Sequence, residues 1–161
     1  MASLRRVALR GAGILLLIIV ALQFVRPERT NPPVDPAERL QAHVQVPADV
    51  QAILDRSCRD CHTNETRWPW YSAVAPMSFL LVHDVTEGRD ELNFSEWGQY
   101  DGETMGEQLD HICTEVREGE MPMKTYTLVH SEARLSAQDV DRLCQWTKQA
   151  GATVAAHEET Q

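Results

Sequence analysis

Residues 57–62 read "SCRDCH", and this hexapeptide decides how the rest of the chain is interpreted. Cys58 and Cys61 stand three positions apart, and His62 follows directly. Cysteine pairs at this spacing occur in structural zinc sites, in redox-active dithiols and, with an adjoining histidine, where haem c is attached covalently to a chain. The sequence around the motif distinguishes among these three kinds of site.

The motif ends a predicted amphipathic helix rather than opening one. The residues that follow the i, i+3, i+4, i+7, i+8 spacing of one helical face are Val50, Ile53, Leu54, Ser57 and Cys58. This spacing predicts a helix over residues 48–57 and turns the cysteines toward the core. A redox dithiol instead opens a helix after a strand, and no strand pattern surrounds the motif, which argues against that interpretation.

A zinc site usually needs a second pair of ligands at similar spacing. The two other cysteines, Cys113 and Cys144, stand far apart in the sequence and form no such pair. The motif therefore favours one covalently bound haem c. In this interpretation the thiols of Cys58 and Cys61 form thioethers with the haem, and His62 is the proximal iron ligand.

Four helical patterns and no alternating strand pattern predict an all-α domain, which with the haem c motif would be cytochrome c-like. The predicted helices lie near residues 48–57, 77–86, 103–118 and 137–150. Ser136 and Asp139 match a capping box at the start of the last helix. Gly119 and Gly151 stand where helix C-terminal caps are expected.

The N-terminus has the pattern of an export signal or membrane anchor. Arg5, Arg6 and Arg10 precede or border Gly11–Val25, a stretch without charge. No clear cleavage site follows, which favours an uncleaved anchor in the bacterial inner membrane with the rest of the chain in the periplasm. The predicted units are an anchor over 1–25, a proline-rich tether over 26–47, a haem domain over 48–151 and a flexible tail over 152–161.

The far side of the iron has several candidate ligands. Met121 precedes Pro122 on a predicted extended loop, from which a thioether can reach a haem face. Met123 is its rival, and His83 or His130 would give a second histidine ligand instead. His83 lies in an apolar helical segment, where a lone histidine is more often a hydrogen-bonded core residue.

Several aromatic side chains are predicted to shield the haem from water, although an ordinary core position would explain them equally well. They are Trp68, Trp70, Tyr71, Phe79, Trp97 and Trp146. The remaining cysteines, Cys113 and Cys144, lie on the inward faces of two predicted helices. Outside the cytoplasm they would form a disulfide; the alternative is two buried free thiols.

The charge distribution limits the class of partner. Of the fifteen basic residues, eleven follow residue 26, as do all twenty-four acidic residues, so this part carries a net charge of −13. Such a surface excludes nucleic acid as a partner and suits a basic redox protein. The alternative is that the charge serves solubility.

The sequence resembles the small bacterial c-type haem-binding domain family, whose members are membrane-anchored single-haem relatives of cytochrome c. The resemblance runs from Arg26 to Trp146 and rests on "RTNPPVDP", "CRDCHTNETRWPWYS", "LNFSEW", "GEMPM" and "YTLVHSEARLS". Family members commonly have Met-Pro-Pro where this chain has Met121-Pro122-Met123, which makes Met123 a second candidate ligand. The resemblance implies haem binding and membrane attachment, and it implies no particular reaction.

Together these patterns predict one-electron transfer rather than catalysis. The alternative is a haem sensor or a peroxidase-like enzyme with an open or weakly held sixth iron position. An accessory or haem-delivery role in respiratory assembly is compatible with the same tether.

Overall fold

The computed structural model describes residues 2–158. Within this part of the chain there are eight α-helices, three short 3-10 helices and no strand, so the all-α prediction is confirmed for it. The α-helices are α1 (Ala2–Leu22), α2 (Leu40–His43), α3 (Ala48–Ser57), α4 (Arg59–His62), α5 (Met77–Glu91), α6 (Gly102–Glu118), α7 (Lys124–Val129) and α8 (Ala137–Glu158). The 3-10 helices are Trp70–Ala73, Trp97–Gln99 and Ser131–Ala133.

The predicted helix ends are confirmed where a capping interaction marks them. The N-terminus of α8 is a capping box: Asp139 N donates to Ser136 Oγ at 3.2 Å, and Ser136 N donates to Asp139 Oδ2 at 2.8 Å. Gly119 ends α6 with a φ of 73°, the left-handed conformation that glycine adopts without steric cost. An ion pair of 2.7 Å between Arg56 and Asp139 also ties α3 to α8.

The predicted end of the last helix at Gly151 is wrong. Helix α8 continues through Gly151 to Glu158, and Val154, one turn further on, packs against the hydrophobic core. Packing thus outweighs the modest helix propensity of a single glycine. The tail predicted over 152–161 is helical as far as residue 158, and its last three residues lie outside the described part.

The hydrophobic core lies between α2, α3, α6 and α8. Its buried side chains from these helices are Leu40, Val50, Ile53, Leu54, Leu109, Ile112, Val116, Leu143 and Trp146. Helices α6 and α8 pack against each other, and a disulfide between Cys113 and Cys144 joins them. Trp146 Nε1 donates to Gln45 O at 3.0 Å, which fixes the segment before α3 to the same core.

The segment predicted as a proline-rich tether runs along the domain instead of standing free of it. Asn31 Nδ2 donates to Thr66 O at 2.9 Å. Leu40 is fully buried, and its backbone N–H donates to Phe94 O at 2.9 Å. Hydrogen bonds between residues far apart in the chain leave no pattern in the sequence. The proline-rich composition of residues 26–47 therefore did not reveal that this segment packs against the domain.

Among the described residues, helix α1 carries most of the large exposed apolar side chains. Its large hydrophobic residues from Leu4 to Val20 are between 38% and 79% exposed. No helix within residues 2–158 is long and apolar enough to span a membrane. The predicted anchor therefore stays a prediction.

Candidate functional site

The cysteine–histidine motif forms one tight turn between α3 and α4. Cys58 ends α3, and its N–H donates to Leu54 O at 3.0 Å. Its own carbonyl oxygen accepts from the N–H groups of Cys61, at 3.3 Å, and of His62, at 3.0 Å. This turn places both thiols and the imidazole on the wall of the same cavity.

His62 is held in one orientation and one tautomer. Its Nδ1 lies 3.0 Å from Leu92 O, and because a carbonyl oxygen only accepts, Nδ1 carries the proton. Burial lowers the pKa of His62, although backbone hydrogen bonds to Leu92 and Gly88 oppose the shift. The neutral ring therefore has its lone pair on Nε2, which is the form that binds a metal.

A buried amide network holds the loop that orients His62. Asn93 Nδ2 donates to Asn64 Oδ1 at 2.9 Å, and Asn93 Oδ1 accepts from Ser95 N at 3.0 Å. Phe94 N donates to His62 O at 2.8 Å in the same loop. Sequence reasoning missed these residues as supports of the site. The segments "CRDCHTNE" and "LNFSEW", already noted in the family resemblance, contain them.

The two motif thiols are free and protonated. Burial raises the pKa of Cys58 to about 12, and the Cys61 thiol nearby acts in the same direction. Burial also raises the pKa of Cys61 to about 12, helped by the charges of Asp60 and Asp84. Redox dithiols and zinc ligands need thiolates, which a lowered pKa favours. The environment therefore disfavours a redox dithiol.

Gly88 lets α5 pack directly on the motif. A Cβ atom at this position would lie 2.9 Å from Cys61 O and 3.1 Å from Cys61 Cβ. Any larger residue would push α5 away from the attachment turn or distort it. Sequence reasoning missed this contact. The sequence feature that could have indicated it is the glycine itself, which lies two residues beyond the helix predicted over 77–86.

Two cavities meet at the motif, and we name them cavity A and cavity B. Their volumes are about 300 Å³ and 280 Å³. Both are lined by Cys58, His62, Glu91 and Met121. Ligand and cofactor sites are concave and mostly apolar, with a few polar groups. The two cavities have this character, and both are lined by His62, whose Nε2 is unprotonated.

The rest of the lining differs between the two cavities. Phe94, Ile112 and Val116 supply apolar surface to cavity A. Cavity B includes Tyr126 and Ser57. The Ser57 side chain is buried, and its Oγ has no hydrogen-bond partner among the described residues. An unpaired hydroxyl in the wall of a cavity is the kind of group that a bound molecule satisfies.

Met121 lines both cavities, whereas Met123 lines cavity B and a smaller neighbour of about 60 Å³, cavity C. The position of Met121 follows from the end of α6. After the left-handed Gly119 the chain turns, and Met121 N donates back to Glu115 O at 3.2 Å. The helix cap thus fixes the methionine loop beside the wall that carries His62.

The two candidate histidines occupy different surroundings. His83 lines cavity B, but its side chain is 67% exposed and lies 3.9 Å from Glu87, so its expected core position is wrong. His130 lines cavity C only. Its Nε2 lies 2.5 Å from Tyr71 Oη, and its ring stacks on Tyr126 with centroids 4.4 Å apart.

The aromatic residues expected around the haem are spread over the domain. Trp97 and Trp146 are core residues, 0% and 2% exposed. Trp70 is 80% exposed, and Trp68 donates from Nε1 to Asn31 Oδ1 at 3.3 Å. Of the six, Tyr71 lines cavity C, and none, Phe79 included, lines cavity A or B. The aromatic rings on cavities A and B are instead Phe94 and Tyr126, which sequence reasoning did not select.

The donor set fits a covalently attached haem. Two free thiols, an imidazole with its lone pair on Nε2 and a thioether line cavity B, and so does Ser57, whose buried hydroxyl is unpaired. Cavities A and B together are called the cleft. Cys113 and Cys144 are joined to each other and supply no zinc ligands. The arrangement offers what haem c requires: two sulfurs for attachment, a nitrogen for the iron and water-excluding walls.

Comparison with protein families agrees with haem binding. The chain belongs to the haem-binding domain family, whose model matches residues 17–149. Comparisons with curated proteins and with solved structures give no significant match.

Proposed function

We propose that this member of the haem-binding domain family carries one covalently bound haem c and transfers single electrons. When bound, haem supplies a one-electron iron couple whose potential depends on its ligands and surroundings. One observation carries the proposal: the His62 Nδ1–H bond to Leu92 O leaves Nε2 unprotonated beside two free cysteines. Each thiol would add across a vinyl group, with its sulfur bonding to one carbon and its hydrogen to the other.

Other residues of the chain would supply the second iron ligand and exclude water from the iron. Met121 is proposed as the second axial ligand because it lines both cavities with His62. Phe94, Ile112 and Val116 would keep water from the iron. A low-dielectric surrounding favours the less charged, reduced iron. A sulfur ligand raises the potential further relative to a second histidine. These features suit a carrier that accepts and releases an electron.

Covalent attachment is tested by haem staining of the denatured protein, expressed with the bacterial machinery for cytochrome c maturation. The full chain should retain the stain through denaturation. A Cys58→Ala, Cys61→Ala double variant should lose it, whereas the matched Cys113→Ala, Cys144→Ala variant should keep it. Loss of the stain in both, or in neither, would contradict attachment through the motif.

Carbon monoxide separates the carrier from the alternative. A haem sensor or peroxidase-like enzyme needs an open or weakly held sixth position. If Met121 fills that position firmly, the reduced protein should not bind carbon monoxide, and the Met121→Ala variant should bind it. Binding to the unmodified protein would favour the sensor or enzyme.

The location and the partner are parts of the same proposal. We place the domain outside the cytoplasmic membrane, with α1 attached to the bilayer, because haem c attachment occurs on that side and because Arg5, Arg6 and Arg10 favour the cytoplasm.

The acidic side chains that line cavities A and B, among them Asp84, Glu87, Glu91 and Glu115, suit a basic redox protein. Reduction by such a partner should slow as salt rises. An unchanged rate would contradict electrostatic docking.

A further inference from the structure

Large exposed hydrophobic side chains occur in only two places among the described residues. The first is the N-terminal stretch from Leu4 to Val25. The second is a group of six residues that we name the Trp70 patch, and it consists of Trp70, Val74, Met77, Leu80, Leu128 and Val129. Trp70 and Leu128 are 80% and 77% exposed. Contiguous apolar patches of this kind mark contact with a partner or a membrane.

Four residues of the patch, although they come from separate elements, meet at cavity C or at a residue that lines it. Met77 and Leu80 of α5 and Val129 of α7 line cavity C together with Tyr71. The Trp70 ring packs edge-on against Tyr71, with centroids 5.8 Å apart. None of the six patch residues lines cavity A or B. Cavities B and C share lining residues, among them Cys61 and Met123, so the patch lies next to cavity B without lining it.

The N-terminal apolar stretch joins the domain at this patch. Gln23 Nε2 donates to Ala75 O at 3.1 Å, and Ala75 N donates to Gln23 Oε1 at 3.1 Å. Ala75 directly follows Val74, a patch residue. Arg29 Nη1 donates to Ser72 Oγ at 3.0 Å, so a basic side chain lies nearby. The two exposed apolar surfaces are thus connected through a pair of hydrogen bonds.

We propose that the Trp70 patch lies on the lipid surface, beside residues 4–25, and so fixes the orientation of the cleft relative to the membrane. This inference rests on the membrane attachment in the proposed function. Continuity with the apolar α1 favours lipid as the occupant over a second protein. Tryptophan prefers the membrane–water interface, where its ring meets apolar chains and its N–H stays hydrated. Basic residues such as Arg29 suit anionic headgroups.

The test is quenching of tryptophan fluorescence by brominated lipid. The full-length haem-loaded chain is reconstituted in vesicles of phosphatidylcholine and phosphatidylglycerol, with or without bromine on the acyl chains. The ratio of the two signals cancels the quenching by haem. Brominated lipid should lower the wild-type fluorescence, and Trp70→Phe should abolish most of that loss. Trp68→Phe, the matched control two residues away, should keep it.

A second variant tests the α7 side of the patch. Leu128→Trp in the Trp70→Phe background should restore quenching, because Leu128 is highly exposed and directly precedes Val129, which lines cavity C. Both substitutions are at exposed positions, so folding is preserved. The proposal would be overturned if Trp70→Phe left the lipid quenching unchanged. It would also be overturned if the protein bound vesicles without being quenched, or if it did not bind vesicles at all. A patch that joins two copies would instead give a dimer in detergent that Trp70→Ser disrupts, and this outcome also overturns it. Haem staining of the same samples reports separately on the proposed function.

Discussion

The Nδ1 atom of His62 and the backbone oxygen of Leu92 lie 3.0 Å apart, and this hydrogen bond fixes how the site presents its imidazole. Leu92 is held in turn by the loop that follows α5, in which Phe94 N donates to His62 O at 2.8 Å. His62 therefore makes two hydrogen bonds, one through its ring and one through its backbone, to a segment thirty residues further along the chain. The stability of this loop should decide how well the site is formed.

Asn93→Ala should weaken this loop. The substitution leaves Asn64 Oδ1 without its buried donor and Ser95 N without its acceptor. A buried unpaired polar group costs about 1–3 kcal/mol, and the free energy of unfolding in urea should fall by about that much. Gln41→Ala, which removes an exposed bond to Gln51, is the control and should change it by less than about 0.5 kcal/mol. Equal effects would contradict the network's role.

Gly88→Ala should disturb the attachment turn. The new methyl group meets Cys61 at 2.9 Å, and overpacking of this kind costs about 1–3 kcal/mol. Gly106→Ala is a matched control in α6, where a Cβ has nothing within 4 Å and alanine should stabilise by up to about 1 kcal/mol. Yield of covalent haem and urea unfolding measure both variants. If the two variants behave alike, α5 does not constrain the motif.

The capping box of α8 should contribute a pH-dependent term to stability. Burial acts to raise the pKa of Asp139, but hydrogen bonds from Ser136 and the Arg56 ion pair outweigh it and leave that pKa below its ordinary value. A carboxyl with a lowered folded-state pKa stabilises fully above its unfolded pKa of about 3.9 and loses this stabilisation as the pH falls through the folded value.

Asp139→Asn should therefore be less stable than wild type at pH 6, by about 1 kcal/mol, and the difference should shrink toward pH 2.5. Unfolding in urea at several pH values measures it. Asp141→Asn, at an exposed carboxylate of the same helix outside the capping box, is the matched control. A difference that stays constant across this range would contradict the linkage.

Removing the disulfide should lower stability without removing haem. Cys113 and Cys144 join α6 to α8 and close a loop of thirty-one residues, and the double alanine variant should lose about 3–4 kcal/mol on the chain-entropy model. Reductant should cause the same loss in the wild type and none in the variant. Separate Cys113 and Cys144 peptides in a non-reduced digest would contradict the pairing.

Local patterns in the sequence predicted the parts of the fold that local interactions determine. The spacing of apolar residues predicted α3 with the bounds that the structure shows, Ala48–Ser57. Ser136 and Asp139 marked the start of α8, since both halves of a capping box lie within one turn. The prediction failed at Gly151, because the contact of Val154 with the core is not a local property.

The candidate site was predictable in its motif and not in its surroundings. The spacing of Cys58, Cys61 and His62 is itself the chemical signal. The partners of these residues, such as Leu92 and Gly88, act through backbone atoms or through the absence of a side chain, and neither leaves a residue type to recognise. The surroundings of the aromatic residues were not predictable for another reason. The sequence near Trp70 does not show whether the ring faces the core, a cofactor or solvent.

Met121→Ala and Met123→Ala should separate the two candidate thioethers. Met121 lines both cavities beside His62, and its backbone is fixed by the bond to Glu115 O, whereas Met123 directly precedes α7 as its N-cap and lines cavities B and C. We therefore expect the oxidised Met121→Ala protein to lose the sulfur-to-iron charge-transfer band in its visible spectrum and its reduction potential to fall. The Met123→Ala protein should keep both properties.

Other outcomes of this comparison have distinct meanings. Loss of the band in Met123→Ala alone would assign the ligand to Met123. Absence of the band in the unmodified protein would contradict a methionine ligand and point to His83, which lines cavity B and is exposed enough to turn inward. His83→Ala would then change the spectrum. His130 lies on cavity C, bonded to Tyr71 and stacked on Tyr126, so reaching the iron would require both contacts to break, and His130→Ala should leave the spectrum unchanged.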